Sequence, residues 1–238
     1  MLSCRVFSLS LIDHYSMSLL TYTEENYLKA IYSIQAHSEQ KGVSVNEIAE
    51  RMHTKPGTVT DMLRKLSEKA LIHYEKYKKV ELSPTGQSAA LSVLRKHRLW
   101  ETFLHHKLNF QWDEVHEVAE QLEHIQSQKL IDSLDEFLGF PEFDPHGDPI
   151  PKPNGDLPYS STIPIAEAEA GNKCKLVGVR DTSTPFLQQL EKMKLQIGSI
   201  LIVTEIMPYD KSVMITNESG TTFQLSEKIA RNLLVSIS

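Results

Sequence analysis

From residue 23 to about residue 36, apolar side chains recur at helical spacing (Tyr27, Leu28, Ile31, Tyr32, Ile34), with Thr23 the expected N-cap. Residues 45–53 and 58–70 repeat the amphipathic pattern in two shorter stretches. The link Thr54-Lys55-Pro56-Gly57 carries the Pro-Gly punctuation of a sharp turn. Residues 71–74 and 79–82 read as short strands around the charged tip Glu75-Lys76-Tyr77-Lys78. A helix, a helix-turn-helix and a basic hairpin, in that order, predict a winged helix. Pro84-Thr85-Gly86 opens a long helix to about residue 108, and Asp113 caps another that runs to about residue 138. Five of the eleven prolines fall between residues 141 and 153, which predicts a stiff, extended linker. Beyond it, residues 173–179, 199–205, 211–215, 221–225 and 233–237 read as strands, with a helix at 185–195 among them. That pattern predicts a small mixed β domain, a partly open barrel.

The expected fold class is therefore mainly α with a small β domain. Its expected divisions are a leader or loose tail over 1–16, a winged helix over 17–87, a helical domain over 88–140, a Pro-rich linker over 141–160 and the β domain over 161–238. No internal repeat is present.

Composition narrows the function classes. Cys4 and Cys174 are the only cysteines in 238 residues, and no CxxC pair exists, so neither a disulfide framework nor a zinc ribbon is expected. A reducing, cytoplasmic setting is the expectation. No run of 18 apolar residues would span a membrane, and residues 1–16 lack the apolar run and cleavage motif of a signal peptide. The net charge of -6 argues against nucleic acid only on average. Between Lys41 and Val80 nine Lys/Arg face five Asp/Glu, whereas between Glu101 and Asp148 two face twelve. One segment suits phosphate; the other repels it and attracts cations.

The basic segment coincides with the helix-turn-helix. A helix over 58–70 can lie in a major groove with its N-terminal residues at base edges. Lys55, Thr58, Thr60 and Asp61 are the expected base-facing residues. Arg64, Lys65 and the wing residues Lys76, Lys78 and Lys79 are placed for phosphates, which set affinity and register rather than sequence preference. Short helix-turn-helix units also serve as scaffolding, and a lysine-rich hairpin tip is also what a solvated turn looks like.

The acidic segment holds the histidines. Five of the ten lie between His97 and His124. His97 and Glu101 are four apart on one helix. His116, Glu120, Glu123 and His124 fall at i, i+4, i+7 and i+8 on the next, opposite an apolar stripe of Val115, Val118, Leu122 and Ile125. Two antiparallel helices presenting imidazole and carboxylate to one space would make a nitrogen/oxygen site suited to manganese, ferrous iron, cobalt or zinc. An acidic stripe opposite an apolar one is equally what any exposed helix shows.

Five runs then go together: TEENYLKAIY (residues 23–32), SPTG (83–86), RKHRLWETFL (95–104), VHEVAEQLEH (115–124) and DPHGDPIP (144–151). Together they resemble the diphtheria toxin repressor family of iron- and manganese-dependent regulators, over residues 23–238. The resemblance implies a C-terminal FeoA-like small β-barrel and a homodimer held through helices of about residues 88–140. It further implies two winged-helix heads on a palindromic operator in double-stranded DNA. By the same resemblance the primary metal ligands are Asn26, Glu120, Glu123 and His124. Iron-responsive members resemble one another in a cysteine at position 120, so Glu120 leans toward manganese, with ferrous iron second. Asn26 departs from the methionine or aspartate of both patterns. His97, Glu101 and His116 match an ancillary site; Asp144, His146 and Asp181 stand where some manganese-type relatives build a second one. Thr182 and Pro185 replace a glutamate and a glutamine used elsewhere in the family.

The implied mechanism is a repressor of metal-homeostasis genes, in which metal replaces repulsion among carboxylates and histidines by attraction and holds the heads at one spacing. A di-metal hydrolase would need a substrate cleft and a general base, and no HExxH motif is present. A winged-helix regulator of a non-metal ligand is the other alternative. No enzyme activity is expected.

Overall fold

The computed structural model describes residues 20–36, 38, 42–76, 78–159 and 161–237. The expected leader over 1–16 lies outside these. The chain divides into two compact units. The first comprises residues 1–96, 123–128 and 153–156, the second residues 97–122, 129–152 and 157–238.

The first unit opens with α1 (Tyr22–Ala36), one residue earlier than periodicity suggested. Its cap is Thr21, not Thr23. Thr21 Oγ1 accepts the amide of Glu24 at 3.3 Å, while the Glu24 carboxylate accepts the amide of Thr21 at 2.8 Å. That reciprocal box satisfies two first-turn donors. α2 (Val45–Arg51) carries a second capping box between Ser44 and Glu47. α3 (Pro56–Glu68) starts on a proline, whose missing N–H costs nothing at a helix start. β1 (Ile72–His73) and β2 (Glu81–Leu82) pair antiparallel as a short wing. One core joins these elements: Leu28 and Ile31 from α1, Ile48 from α2, Val59, Leu63 and Leu66 from α3, and Val80.

The SPTG turn fixes where α4 (Pro84–Leu108) begins. Ser83 Oγ donates to the Ala70 carbonyl at 2.8 Å and accepts the Gly86 amide at 3.0 Å. A Cβ on Gly86 would stand 1.9 Å from the Leu71 carbonyl oxygen, so only glycine allows that approach.

The expected helix from Asp113 to about Leu138 is two helices, α5 (Val115–Leu122) and α6 (Gln128–Phe137). Glu123 and His124 sit in the turn between them and not on a continuous stripe. The Pro-rich linker is likewise more structured than expected. Phe143 bridges Pro149, and Asp144 Oδ1 accepts the amides of His146 and Asp148 at 2.8 and 3.0 Å, an Asx turn that buries Asp144 and His146.

The rest of the second unit is a six-stranded antiparallel sheet. Its strands are β3 (Ile163–Pro164), β4 (Lys173–Val179), β5 (Ile200–Ile206), β6 (Val213–Asn217), β7 (Thr222–Leu225) and β8 (Leu233–Ile237), in the order β3-β8-β4-β5-β6-β7. No pairing of the outer strands β3 and β7 closes it among the described residues. α7 (Thr184–Lys192) covers its core through Phe186, Leu187 and Leu190. α8 (Glu227–Asn232), β3 and a 3₁₀ turn at Ile165–Glu167 were absent from the sequence reading; each is too short for periodicity to show.

Candidate functional site

Two polar centres and one basic face emerge. The first centre lies in the first unit, where one side of α1 meets the turn after α5. Glu25, buried, accepts from His124 Nδ1 at 2.5 Å and from Gln126 Nε2 at 2.9 Å. A carboxylate only accepts, so Nδ1 carries a proton, and the neutral tautomer with that proton is the one that presents Nε2 to a metal. His124 Nε2 lies 3.7 Å from Glu123 Oε1, and Tyr22 stacks on the imidazole at 4.6 Å. Glu123 is fully buried, and Lys29 Nζ donates to both its oxygens at 2.7 and 2.8 Å. Lys96 Nζ is 3.7 Å from Glu25; burial holds its ammonium below the usual lysine range, against the pull of Glu25 and Glu123. Neither carboxylate stands alone. Two ammonium groups already compensate Glu123 and Glu25.

Asn26, on the same helix between Glu25 and Lys29, has a buried Oδ1 with no hydrogen-bond partner among the described residues. Buried amide oxygens ordinarily find a donor. A cation satisfies such an oxygen equally well, and a neutral amide, a carboxylate and an imidazole with a free Nε2 form a donor set that fits manganese or ferrous iron.

The second centre belongs to the second unit and turns on Glu101, which is buried on α4. His97 Nε2 lies 3.0 Å and His116 Nδ1 3.3 Å from Glu101 Oε1, with the two imidazole nitrogens 3.2 Å apart. His146 Nδ1 approaches Oε2 of the same carboxylate at 3.9 Å. Two groups of possible ligands therefore share Glu101: His97, Glu101 and His116 on one side, and Glu101, Asp144 and His146 on the other. His146 Nε2 donates to the Trp112 carbonyl at 3.0 Å, which again leaves the other nitrogen's lone pair for a ligand. Burial would raise the Glu101 carboxyl, but the charge and hydrogen bonds of His97 and His116, with His146 beyond, hold it well below its usual range. Hydrogen bonds to Glu101 and Glu120 push His116 up to about 9. Burial first, then Glu101 and Asp148, push Asp144 well above the ordinary carboxylate range. Arg98 partly offsets this, its Nε 3.6 Å from Asp144.

Glu120 stands on α5 with its carboxylate 3.4 Å from His116 Nε2. Asp181 accepts the Ser183 amide at 2.9 Å and joins neither group. Sequence reasoning missed Glu25, Lys29, Lys96 and Arg98. Glu25 and Lys29 are four residues apart, which on sequence alone reads as an exposed helical ion pair.

The basic face is α3 with the wing. Lys55, Thr58, Asp61, Arg64 and Lys65 are exposed, as are Lys76, Lys78 and Lys79. Thr60 is half-buried and donates its hydroxyl to the Pro56 carbonyl at 3.0 Å. At about 100° per residue, Thr60 is turned roughly 200° from Thr58, whereas Asp61 and Lys65 share the Thr58 face. Asp61 pairs with Arg64 at 3.3 Å and Glu75 with Lys78 at 2.6 Å, all four well exposed.

Comparison with known proteins bears on all three. Residues 19–80 match the iron dependent repressor N-terminal DNA binding domain, residues 83–152 the iron dependent repressor metal binding and dimerisation domain, and residues 163–237 the FeoA domain. The chain is 34% identical over 170 residues to the iron-dependent repressor IdeR of Mycobacterium leprae, covering 68% of this chain and 72% of that protein. It is 30% identical over 189 residues to the diphtheria toxin repressor of Corynebacterium glutamicum, covering 79% and 76%. A solved manganese-dependent transcriptional repressor in complex with manganese superposes with a TM-score of 0.81 at 32% identity, over 90% of this chain and all of the other. The manganese regulator SloR superposes at 0.71 with 31% identity, over 92% of this chain and all of the other.

Proposed function

Because the chain belongs to the diphtheria toxin repressor family, and is a metal-dependent DNA-binding repressor, we propose that its first centre is the switch and manganese its preferred activator. The observation that carries this reading is Asn26 Oδ1, buried and unpartnered on α1 between Glu25 and Lys29, which reach His124 and Glu123. Asn26, Glu123 and His124 would hold the ion; Glu120, three residues before Glu123 in the chain, is the further ligand that the family resemblance implies. A divalent ion there would supply two positive charges and bind the α1 amide to the 123–124 turn.

What the chain's own residues do follows from packing. The face of α1 away from the centre contributes Leu28 and Ile31 to the core that also holds Val59, Leu63 and Leu66 of α3. Close-packed interiors transmit displacement, so fixing α1 fixes the recognition helix. Glu25 keeps His124 in the tautomer that offers Nε2. By linkage, any factor by which loading raises DNA affinity appears equally in metal affinity. In a homodimer held through residues 88–140, two heads so fixed would fit a palindromic operator of genes for metal homeostasis. The chain is read as a regulator and not as an enzyme.

The test is operator binding with manganese, with ferrous iron under anaerobic conditions, and after chelation. Binding that depends on manganese at least as strongly as on iron is expected, because an oxygen-rich donor set tolerates the larger ion. Glu123→Ala and His124→Ala should each weaken metal-dependent binding by about tenfold or more, a loss of one ligand in the range of allosteric couplings, with the dimer intact. A wild-type metal response in both variants would reject the assignment.

A further inference from the structure

We infer that Lys29 is the protein's own cation at the first centre, and that its displacement sets the metal concentration at which the switch responds. The inference rests on the reading of Glu123 as a metal ligand. Lys29 Nζ sits astride the Glu123 carboxylate, 2.7 and 2.8 Å from its two oxygens, so it holds both of the atoms that Glu123 could offer a divalent ion. The second ammonium, on Lys96, lies 3.7 Å from Glu25. Each of the two carboxylates, Glu123 and Glu25, thus has an ammonium group of the chain beside it. A divalent cation brought to Glu123 therefore meets a like charge already bound to its ligand.

The means of release is also in place. The Lys29 side chain is 15% exposed, whereas Glu123 is at 0%. The long flexible stem can carry the ammonium into water, where it is well hydrated, while the carboxylate stays to coordinate. The ordinary role of a lysine on a buried glutamate is to stabilise the fold, and removing it alone would leave a buried charge unpaired. Here the two roles are one. Lys29 steadies the metal-free fold, and that stabilisation is what an ion must overcome.

This separates Lys29 from a residue that merely orients Glu123. An orienting lysine helps the ion, and its removal weakens metal binding. A competing lysine opposes the ion, and its removal strengthens it. The measurement is a calorimetric titration of the full-length dimer with manganese chloride, without DNA, on wild type, Lys29→Met and Lys29→Gln. Manganese affinity at the first centre should rise by about tenfold in both variants, the scale of one charge interaction partly exposed to water. In thermal unfolding, both variants should melt below wild type without metal and gain more than wild type on adding manganese. Lys29→Gln retains a donor for Glu123 and guards against a Met variant that does not fold. Unchanged or weaker affinity in the folded variants overturns the inference. Glu123→Ala, titrated alongside, keeps the two readings apart: if it binds manganese as wild type does, the ligand assignment fails instead.

Discussion

Replacing Gly147 by alanine should damage the second centre without touching any of its candidate ligands. Gly147 has φ +85, and a Cβ there would lie 2.0 Å from the Val177 carbonyl oxygen and 2.4 Å from Gly178 Cα. Both obstacles are backbone of β4, at the irregularity where its register with β8 shifts between Leu176 and Gly178. The left-handed conformation costs an alanine about 1 kcal/mol, and overpacking against fixed backbone adds about 2 kcal/mol. The sum of about 3 kcal/mol corresponds to a fall of about 6–12 °C in melting temperature for a domain of this size. The turn is also the mount of the centre, because the His146 carbonyl accepts the Val179 amide at 3.0 Å while its ring faces Glu101. A turn pushed off β4 carries Asp144 and His146 away from Glu101, so whatever divalent-ion binding these candidate ligands support should weaken together with stability. Scanning calorimetry with and without manganese reads both effects. Gly57→Ala is the internal control, since a Cβ there meets nothing within 4 Å and an alanine in the first turn of α3 should leave stability unchanged or raise it by up to about 1 kcal/mol. Equal melting temperatures for the two variants would show that the 144–147 turn is not pinned to the strand.

Two more outcomes follow from the other sites. Lys76→Ala or Lys78→Ala should weaken binding to operator and random DNA alike and flatten the salt dependence by about one unit per lost phosphate contact; Thr58→Ala should instead narrow the gap between the two DNAs, and the reverse pattern would refute the docking. His116, raised from 6.5 to about 9, contributes stability that is complete below pH 6.5 and lost as pH rises through 9. Screening at a ring that is half exposed limits this to about 1 kcal/mol or less. Denaturant titrations of metal-free protein across that window should show the loss, and His116→Gln should abolish it; a pH-independent wild type would contradict the assigned hydrogen bonds.

The order of elements was legible because each amphipathic stretch carries its own periodicity, and the sheet was legible where strands ran four residues or more. The break between α5 and α6 was not. Leu122 and Ile125 keep the helical phase through it, and Glu123, His124 and Gln126 are tolerated inside helices. These three side chains bond to Lys29 and Glu25, about a hundred residues earlier in the chain, and local pattern carries no record of such partners. The Pro-rich segment misled for a related reason. Proline density predicts extension, whereas Asp144 and Gly147 impose a tight turn through an Asx bond and a positive φ.

The histidine and carboxylate spacing did point to the second centre, because His97 and Glu101 share a helix face and meet directly. Spacing alone did not show the α1 part of the first centre, which only the family resemblance supplied through Asn26, because α1 works on two faces at once. Glu25 and Lys29, one turn apart, reach the 123–126 turn; Leu28 and Ile31 enter the core against α3. In sequence that division looks like the polar and apolar sides of any surface helix, and Glu25 and Lys29 look like a solvated pair. The polar side is instead spent on a distant turn, and the Asn26 amide oxygen between them is buried and unpaired among the described residues. A helix bound on both faces has little freedom to move alone, so a change in what its polar face holds must be taken up by the packed face. On the proposed function, the core that this face shares with the helix carrying Thr58 and Lys65 would be the connection from metal to DNA.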